Sequence, residues 1–243
     1  MPYKELKETA WECNRELFRQ RLAISTFGNA SAIDRGKGVF AIKPSGVPYD
    51  RLRPEEMVVV DLENRVVEGN LRFSSDTRTH AVLYRRFPEI GGVAHTHSPY
   101  AAAWAQAMKP IPILGTMHAD HLPTDVPCTM AMSDERIKGN YEEETGNLIV
   151  EAFRDLSYQA VPMVLVAGHG PFTWGETAEA AVFHSVVLEE LAKIALFTLQ
   201  VKPDAVRLNQ ALIDRHFLRK HGDGATYGQI PSATENWGKR GKK

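Results

Sequence analysis

Cysteine is scarce in this chain: Cys13 and Cys128 are the two it has, and they form no Cys-x-x-Cys pair. That excludes a disulfide framework and makes a reducing compartment the expectation. An excess of one charge is also missing. Lys and Arg total 29 against 30 Asp and Glu, a formal net charge of -1. Such a balance supplies no basic field of the kind nucleic-acid binders carry. The basic segment 238–243 is short and reads as a solvated terminus. No stretch approaches the ~18 consecutive apolar residues that span a bilayer. The charged start Met1-Pro2-Tyr3-Lys4-Glu5 has no apolar core of a secretory signal. A cytoplasmic protein with no nucleic-acid or membrane partner is therefore expected.

What is present suits a globular domain. Hydrophobic residues make up 43% and charged residues 24% of 243 positions, enough for one domain with a buried core. Leu6, Ala10, Cys13 and Leu17 recur at helical spacing, predicting a first helix that ends near Arg21. Strands are expected through Ile33, over 39–42, and over 58–62 and 65–68, the last two joined as a hairpin at Glu63-Asn64. A helix with His80, Leu83, Tyr84 and Phe87 on one face follows Ser74-Ser75-Asp76-Thr77. Further strands are predicted over 93–97, 111–114 and 161–167, and further helices over 98–108, 140–154, 176–199 and 204–220. The hairpin argues against a parallel sheet. The expected fold is α/β, a central, mostly antiparallel sheet covered by helices, as one domain over 1–229. The composition of 230–243 suggests a disordered tail.

The strongest chemical signal is Ala94-His95-Thr96-His97 at the end of an apolar run. Side chains alternate along a strand, so His95 and His97 share a face and both reach one ion. Val166-Ala167-Gly168-His169 repeats the pattern downstream. Three imidazoles with an open fourth position match a catalytic metal site, whereas the pair alone also fits hydrogen-bonded strand ends. Asp76 reads either as a helix N-cap or as a fourth, displaceable ligand.

Three small polar turns, Gly28-Asn29, Ser45-Gly46 and Ser74-Ser75, have the character of anion cradles. Glycine admits close backbone approach, serine adds a donor, and Ser74-Ser75 opens a helix. Lys43 adds a full charge beside the second turn. Each turn taken singly reads better as structural punctuation, and only their convergence would make a site. Asp120, in Gly115-Thr116-Met117-His118-Ala119-Asp120, is a candidate acid/base group or a turn former.

These motifs, in this order, resemble the class II aldolase/epimerase superfamily, and within it the L-ribulose-5-phosphate 4-epimerase family. Phe27-Gly28-Asn29-Ala30-Ser31, Ile42-Lys43-Pro44-Ser45-Gly46, Ser74-Ser75-Asp76-Thr77, Ala94-His95-Thr96-His97, Gly168-His169-Gly170 and the ending His216 to Gln229 carry the resemblance over about residues 4 to 229. It implies a divalent ion, zinc first and manganese second, on His95, His97 and His169 with Asp76. It also implies a sugar phosphate held at Gly28, Asn29, Lys43, Ser45, Gly46, Ser74 and Ser75. Catalytic roles fall by the same resemblance on Asp120 and Tyr227, the tyrosine supplied by a neighbouring subunit of a homotetramer, with His216 also in the active site. The implied reaction inverts C4 of L-ribulose 5-phosphate to give D-xylulose 5-phosphate by retro-aldol cleavage and re-addition. Related aldolases carry glutamate where this chain has Asp76. A class II aldolase acting on a deoxyhexulose 1-phosphate is the alternative, and a non-catalytic, adducin-like interaction module is the third reading.

Overall fold

Alternation of side chains along the strands sorts the apolar residues into two layers. In Val58-Val59-Val60 the outer two residues face one hydrophobic cluster and the middle one faces the other. Phe40 and Ile42 likewise oppose Val39 and Ala41. The computed structural model describes residues 2–222 and 225, and Tyr227 and the segment 230–243 lie outside them.

The helices are α1 (Lys4–Arg19), α2 (Thr77–Arg86), α3 (Pro99–Gln106), α4 (Thr116–Ala119), α5 (Asp134–Lys138), α6 (Tyr141–Ala152), α7 (Ala178–Val201) and α8 (Gln210–His221). The strands are β1 (Asn29–Asp34), β2 (Val39–Ile42), β3 (Val58–Asp61), β4 (Val66–Glu68), β5 (Gly92–His95), β6 (Met163–Leu165) and β7 (Pro171–Gly175). They form one seven-stranded sheet in the order β4-β3-β2-β1-β5-β7-β6. Each neighbouring pair is antiparallel. This is the antiparallel, helix-covered α/β domain expected from the sequence.

On one face α1 buries Ala10, Cys13 and Leu17 against Ala30, Ala32, Ala41 and Ala94. The small residues on the strands let the helix lie close. On the other face α2, α3 and α6 supply Leu83, Ala105 and Ile149 to the larger cluster. Its aromatic centre is Phe87, Phe153 and Trp174, with ring centroids 5.0 to 5.9 Å apart. Trp174 and Phe40 are fully buried, and each such side chain contributes about 2–3 kcal/mol from removal of apolar surface from water. Helix α7 belongs to both layers, through Ala181 and Val182 on one side and Leu188 and Leu191 on the other.

Long-range polar contacts set the helix ends. Arg35 on the β1–β2 connection donates to the carbonyl oxygens of Tyr84 (2.7 Å), Phe87 (2.9 Å) and Ile90 (2.8 Å), satisfying acceptors at and beyond the end of α2. Helix α3 has Pro99 in its first turn and no capping hydrogen bond from Ser98. The buried Glu189 carboxylate of α7 accepts instead from the backbone N–H of Tyr100 (3.0 Å) and Ala101 (2.9 Å).

Several expected bounds shift. Strand β5 stops at His95, so His97 lies just past it. The 161–167 strand shortens to β6, and it turns back at once into β7, which the sequence reading omitted. The 111–114 strand reduces to a single bridge, Ile111 to Val126, because Pro110 and Pro112 have no N–H to extend a ladder. The last helix begins at Gln210 because Asn209 caps it, its side chain accepting from Ala211 N–H at 2.9 Å. Residues 116–119 form a short helix, α4.

Two consequences are measurable. Glu189→Gln removes the charge that caps α3 and should lower unfolding free energy by about 1–3 kcal/mol in urea titrations. An unchanged midpoint and slope would rule out that capping role. The second concerns His80 and His118, both buried and held neutral by desolvation, with pKa values lowered to about 4. The unfolded chain protonates these groups near pH 6.5, so between about pH 6.5 and 4 it binds more protons than the native state. Stability should therefore fall as pH drops through that window. Calorimetric unfolding at pH 5 in buffers of different ionisation enthalpy should show net proton uptake, and zero uptake would contradict the assignment.

Candidate metal centre and phosphate cradle

His95 closes β5 and His97 follows the strand end, and their shared parity turns both rings to one cavity. His169 comes from the β6–β7 turn. There Gly168 adopts φ 72°, a left-handed conformation that glycine adopts without steric cost, and the tight turn carries His169 toward the other two. One candidate ligand atom from each imidazole lies within 4.8 Å of the others. The Nε2 atoms of His95 and His97 are 3.1 Å apart. His95 Nδ1 donates to the Pro171 carbonyl oxygen at 2.9 Å. A carbonyl only accepts, so the neutral ring carries its proton on Nδ1 and presents a bare lone pair at Nε2. Burial first, then the neighbouring imidazoles, depresses the His95 pKa to about 3, and burial also lowers that of His169. Neutral imidazoles are the form that binds metal, so the donor set fits a divalent ion.

Asp76 precedes α2 and makes no side-chain capping hydrogen bond. Its carboxylate instead accepts from Asn29 Nδ2 at 2.6 Å and from Ser74 Oγ at 3.5 Å. Burial opposes its ionisation. The imidazoles of His95, His80 and His169 and the Asn29 hydrogen bond outweigh that effect and hold its carboxyl below the usual range. Of the two readings left by the sequence, the capping one is not observed.

The three polar turns converge. A cavity of about 300 Å³ is lined by Gly28, Asn29, Lys43, Ser45, Gly46, Ser74 and Ser75 together with Asp76, His95, His97 and His169. Backbone pairing brings two turns together: Ser45 N–H donates to Arg72 O at 2.8 Å and Ser74 N–H to Lys43 O at 3.2 Å. Asn29 ties the third in through Ser74 Oγ at 3.1 Å, and its buried Oδ1 has no hydrogen-bond partner among the described residues. Gly28, at φ 77°, rests against the strand bearing the histidines, where a Cβ would stand 2.7 Å from the His95 carbonyl oxygen. Lys43 is buried, and desolvation lowers its pKa to about 8. Near neutral pH it remains mostly cationic.

Asp120 and His216 meet elsewhere. They are absent from the residues lining this cavity. Asp120 Oδ1 accepts from His216 Nδ1 at 2.9 Å and from Arg219 Nη2 at 2.9 Å, and Lys220 Nζ lies 3.6 Å from Oδ2. Burial raises its pKa, but the His216 and Arg219 hydrogen bonds and the Lys220 charge bring it below the ordinary value. Tyr227 lies outside the described residues. The sequence reading missed Pro171, whose carbonyl orients His95, and Tyr141, whose hydroxyl lies 3.5 Å from His169 Nδ1. A backbone acceptor leaves no mark in a residue pattern, and Tyr141 at the start of α6 is far from any histidine in sequence.

Comparison with known proteins shows the family and the fold. The profile of the family described as Class II Aldolase and Adducin N-terminal domain matches residues 8–196. Among solved structures, an L-fuculose 1-phosphate aldolase superposes with a TM-score of 0.74 at 24% identity, covering 87% of this chain and 94% of that one. The L-fuculose 1-phosphate aldolase from Glaciozyma antarctica PI12 gives 0.72 at 18% identity, covering 89% and 81%. The l-fuculose-1-phosphate aldolase from Thermus Thermophilus gives 0.65 at 29% identity, covering 84% of this chain and 100% of its own. With the family match spanning most of the chain and the donor set in place, this protein belongs to the class II aldolase and adducin N-terminal domain family.

Proposed function

We propose that this chain is a metal-dependent enzyme that epimerises L-ribulose 5-phosphate to D-xylulose 5-phosphate at C4. The observation that carries the reading is the joining of three imidazoles, Asp76 and an anion cradle in one cavity of about 300 Å³. His95, His97, His169 and Asp76 would hold the ion, zinc in the first instance. When bound it supplies Lewis-acid polarisation of a ketose carbonyl. Lys43, Ser45, Ser74, Ser75 and the Gly28-Asn29 turn bind the phosphate and orient the sugar.

A hydrogen at C4 of a ketopentose phosphate is not acidic, so inversion requires breaking the C3–C4 bond. The C4 hydroxyl gives its proton to a base, the C3–C4 electron pair stays with the three-carbon fragment as an enediolate, and glycolaldehyde phosphate separates as an aldehyde. Rotation of the aldehyde exposes its other face. Re-addition forms the bond again, and a second group on the opposite side protonates O4. Asp120 and Tyr227 are the proposed pair. Tyr227 is the member that a neighbouring subunit of a homotetramer would supply, and Asp120 stands on the α4–α8 contact beside His216.

Asp76 supports the epimerase over the aldolase reading, because by resemblance the aldolases carry the longer glutamate there. The aldolase reading is favoured by the names of the structural neighbours, which cleave fuculose 1-phosphate by name. The complete His95, His97 and His169 set tells against a purely structural, adducin-like role.

Two experiments test the proposal. His95→Ala should lower affinity for zinc by more than about 100-fold in chelator competition, since loss of a mere outer partner costs 10–100-fold. Full metal retention in a folded variant would remove His95 from the ligand set. Turnover of L-ribulose 5-phosphate by the zinc- or manganese-loaded protein should yield xylulose 5-phosphate with little free glycolaldehyde phosphate, and a chelator should abolish it. Stoichiometric free fragments would instead establish an aldolase.

A further inference from the structure

Tyr49 takes no part in the chemistry described above, yet it is fully buried against the phosphate cradle. Its hydroxyl donates to the carbonyl oxygen of Gly28 at 2.8 Å, with the Phe27 carbonyl oxygen 3.3 Å away. The Lys43 ammonium sits 4.8 Å from the centre of its ring. Phe18 of α1 stacks on that ring at 5.7 Å, with an interplanar angle of 10°. One side chain thus touches both the turn that leads into β1 and the lysine that leaves β2.

We propose that Tyr49 is the positioning residue of the anion subsite, fixing the Gly28 turn through its hydroxyl and the Lys43 ammonium through its ring. The inference rests on reading the cavity as a phosphate cradle.

Three physical points carry it. A phenol has one proton to give, and here carbonyl oxygens take it, so Tyr49 has none left for a substrate. Burial, reinforced by the Asp76 charge, pushes its ionisation well above the ordinary tyrosine range, so the proton stays. The peptide group is planar, so anchoring the Gly28 carbonyl fixes the peptide that joins the turn to Asn29, the residue paired with His95 on β5 and lining the cavity with its side chain. Gly28, at φ 77°, takes a left-handed conformation open to glycine, and the Tyr49 hydroxyl is a side-chain anchor on its carbonyl. Lys43 is anchored weakly by its own hydrogen bonds, which run 3.3 Å to Thr26 O and 3.4 Å to Pro44 O. A buried aromatic face offers the ammonium a further electrostatic partner without neutralising the charge a phosphate needs.

The test compares the metal-loaded full chain with Tyr49→Phe, which keeps the ring and removes the hydroxyl. Inorganic phosphate is titrated calorimetrically, and kcat and KM are measured on L-ribulose 5-phosphate. Tyr49→Phe should raise the phosphate Kd and the KM together by about 5- to 10-fold, the equivalent of one hydrogen bond, with kcat within about twofold and zinc content unchanged. Tyr49→Leu, which also removes the ring, should weaken phosphate further, and if it fails to fold the Phe variant decides. Unchanged phosphate Kd and KM in Tyr49→Phe would overturn the inference, as would a fall in kcat and metal content with Kd unaltered. Lys43→Met tests the underlying reading separately. If it leaves phosphate binding intact, the cradle assignment is wrong and the role of Tyr49 falls with it.

Discussion

The site depends on one register: β1 pairs antiparallel with β5 so that Asn29 lies opposite His95. This pairing sets the start of one strand, where the Gly28-Asn29 turn lies, against the end of another, where the histidines emerge. A slip of one residue would send His95 to the opposite face of the sheet and break the match to Phe172 on β7. Gly28 makes the fit possible, since any Cβ there would collide with the His95 carbonyl. The Gly28-Asn29 turn and the histidine cluster are therefore two sides of one strand pairing.

Electrostatics then assigns the groups their states. Burial keeps His95 neutral, and the Pro171 carbonyl selects its tautomer, leaving the lone pair toward the cavity. Asp76 stays ionised in a half-buried place because Asn29 and the imidazoles around it favour the charge. Lys43 keeps most of its charge near neutrality although it is buried, and Tyr49 faces it with a ring in place of a carboxylate. The result is a cavity that carries a cation at Lys43 and an anion at Asp76 beside the three imidazoles.

The cluster around Asp120 follows a different logic. Its carboxylate is shared by His216, Arg219 and Lys220 from α8, which ties the C-terminal helix to α4. These residues lie at a distance in sequence and apart from the histidine cavity.

Much of this was legible in the residues alone. The His95-x-His97 alternation and the Gly168-His169 turn pointed to three imidazoles that the fold brings together, because strand parity and glycine turns are local properties. The Glu63-Asn64 hairpin announced an antiparallel sheet, and Leu6, Ala10, Cys13 and Leu17 announced α1. Local patterns could not say whether Asp76 caps its helix or faces the cavity, since both uses begin with the same residue at the same place. Nor could they show that three ordinary polar turns converge, because convergence is decided by pairing between segments far apart in sequence. Tyr49 was invisible for the same reason: a buried tyrosine after a proline has no pattern of its own, and only packing brings it under Gly28 and Lys43. The sequence by itself determined which chemical groups were available and the secondary structure that bears them. Tertiary structure alone decided which groups share a cavity, because strand register and burial set distances and charge states that no local spacing encodes.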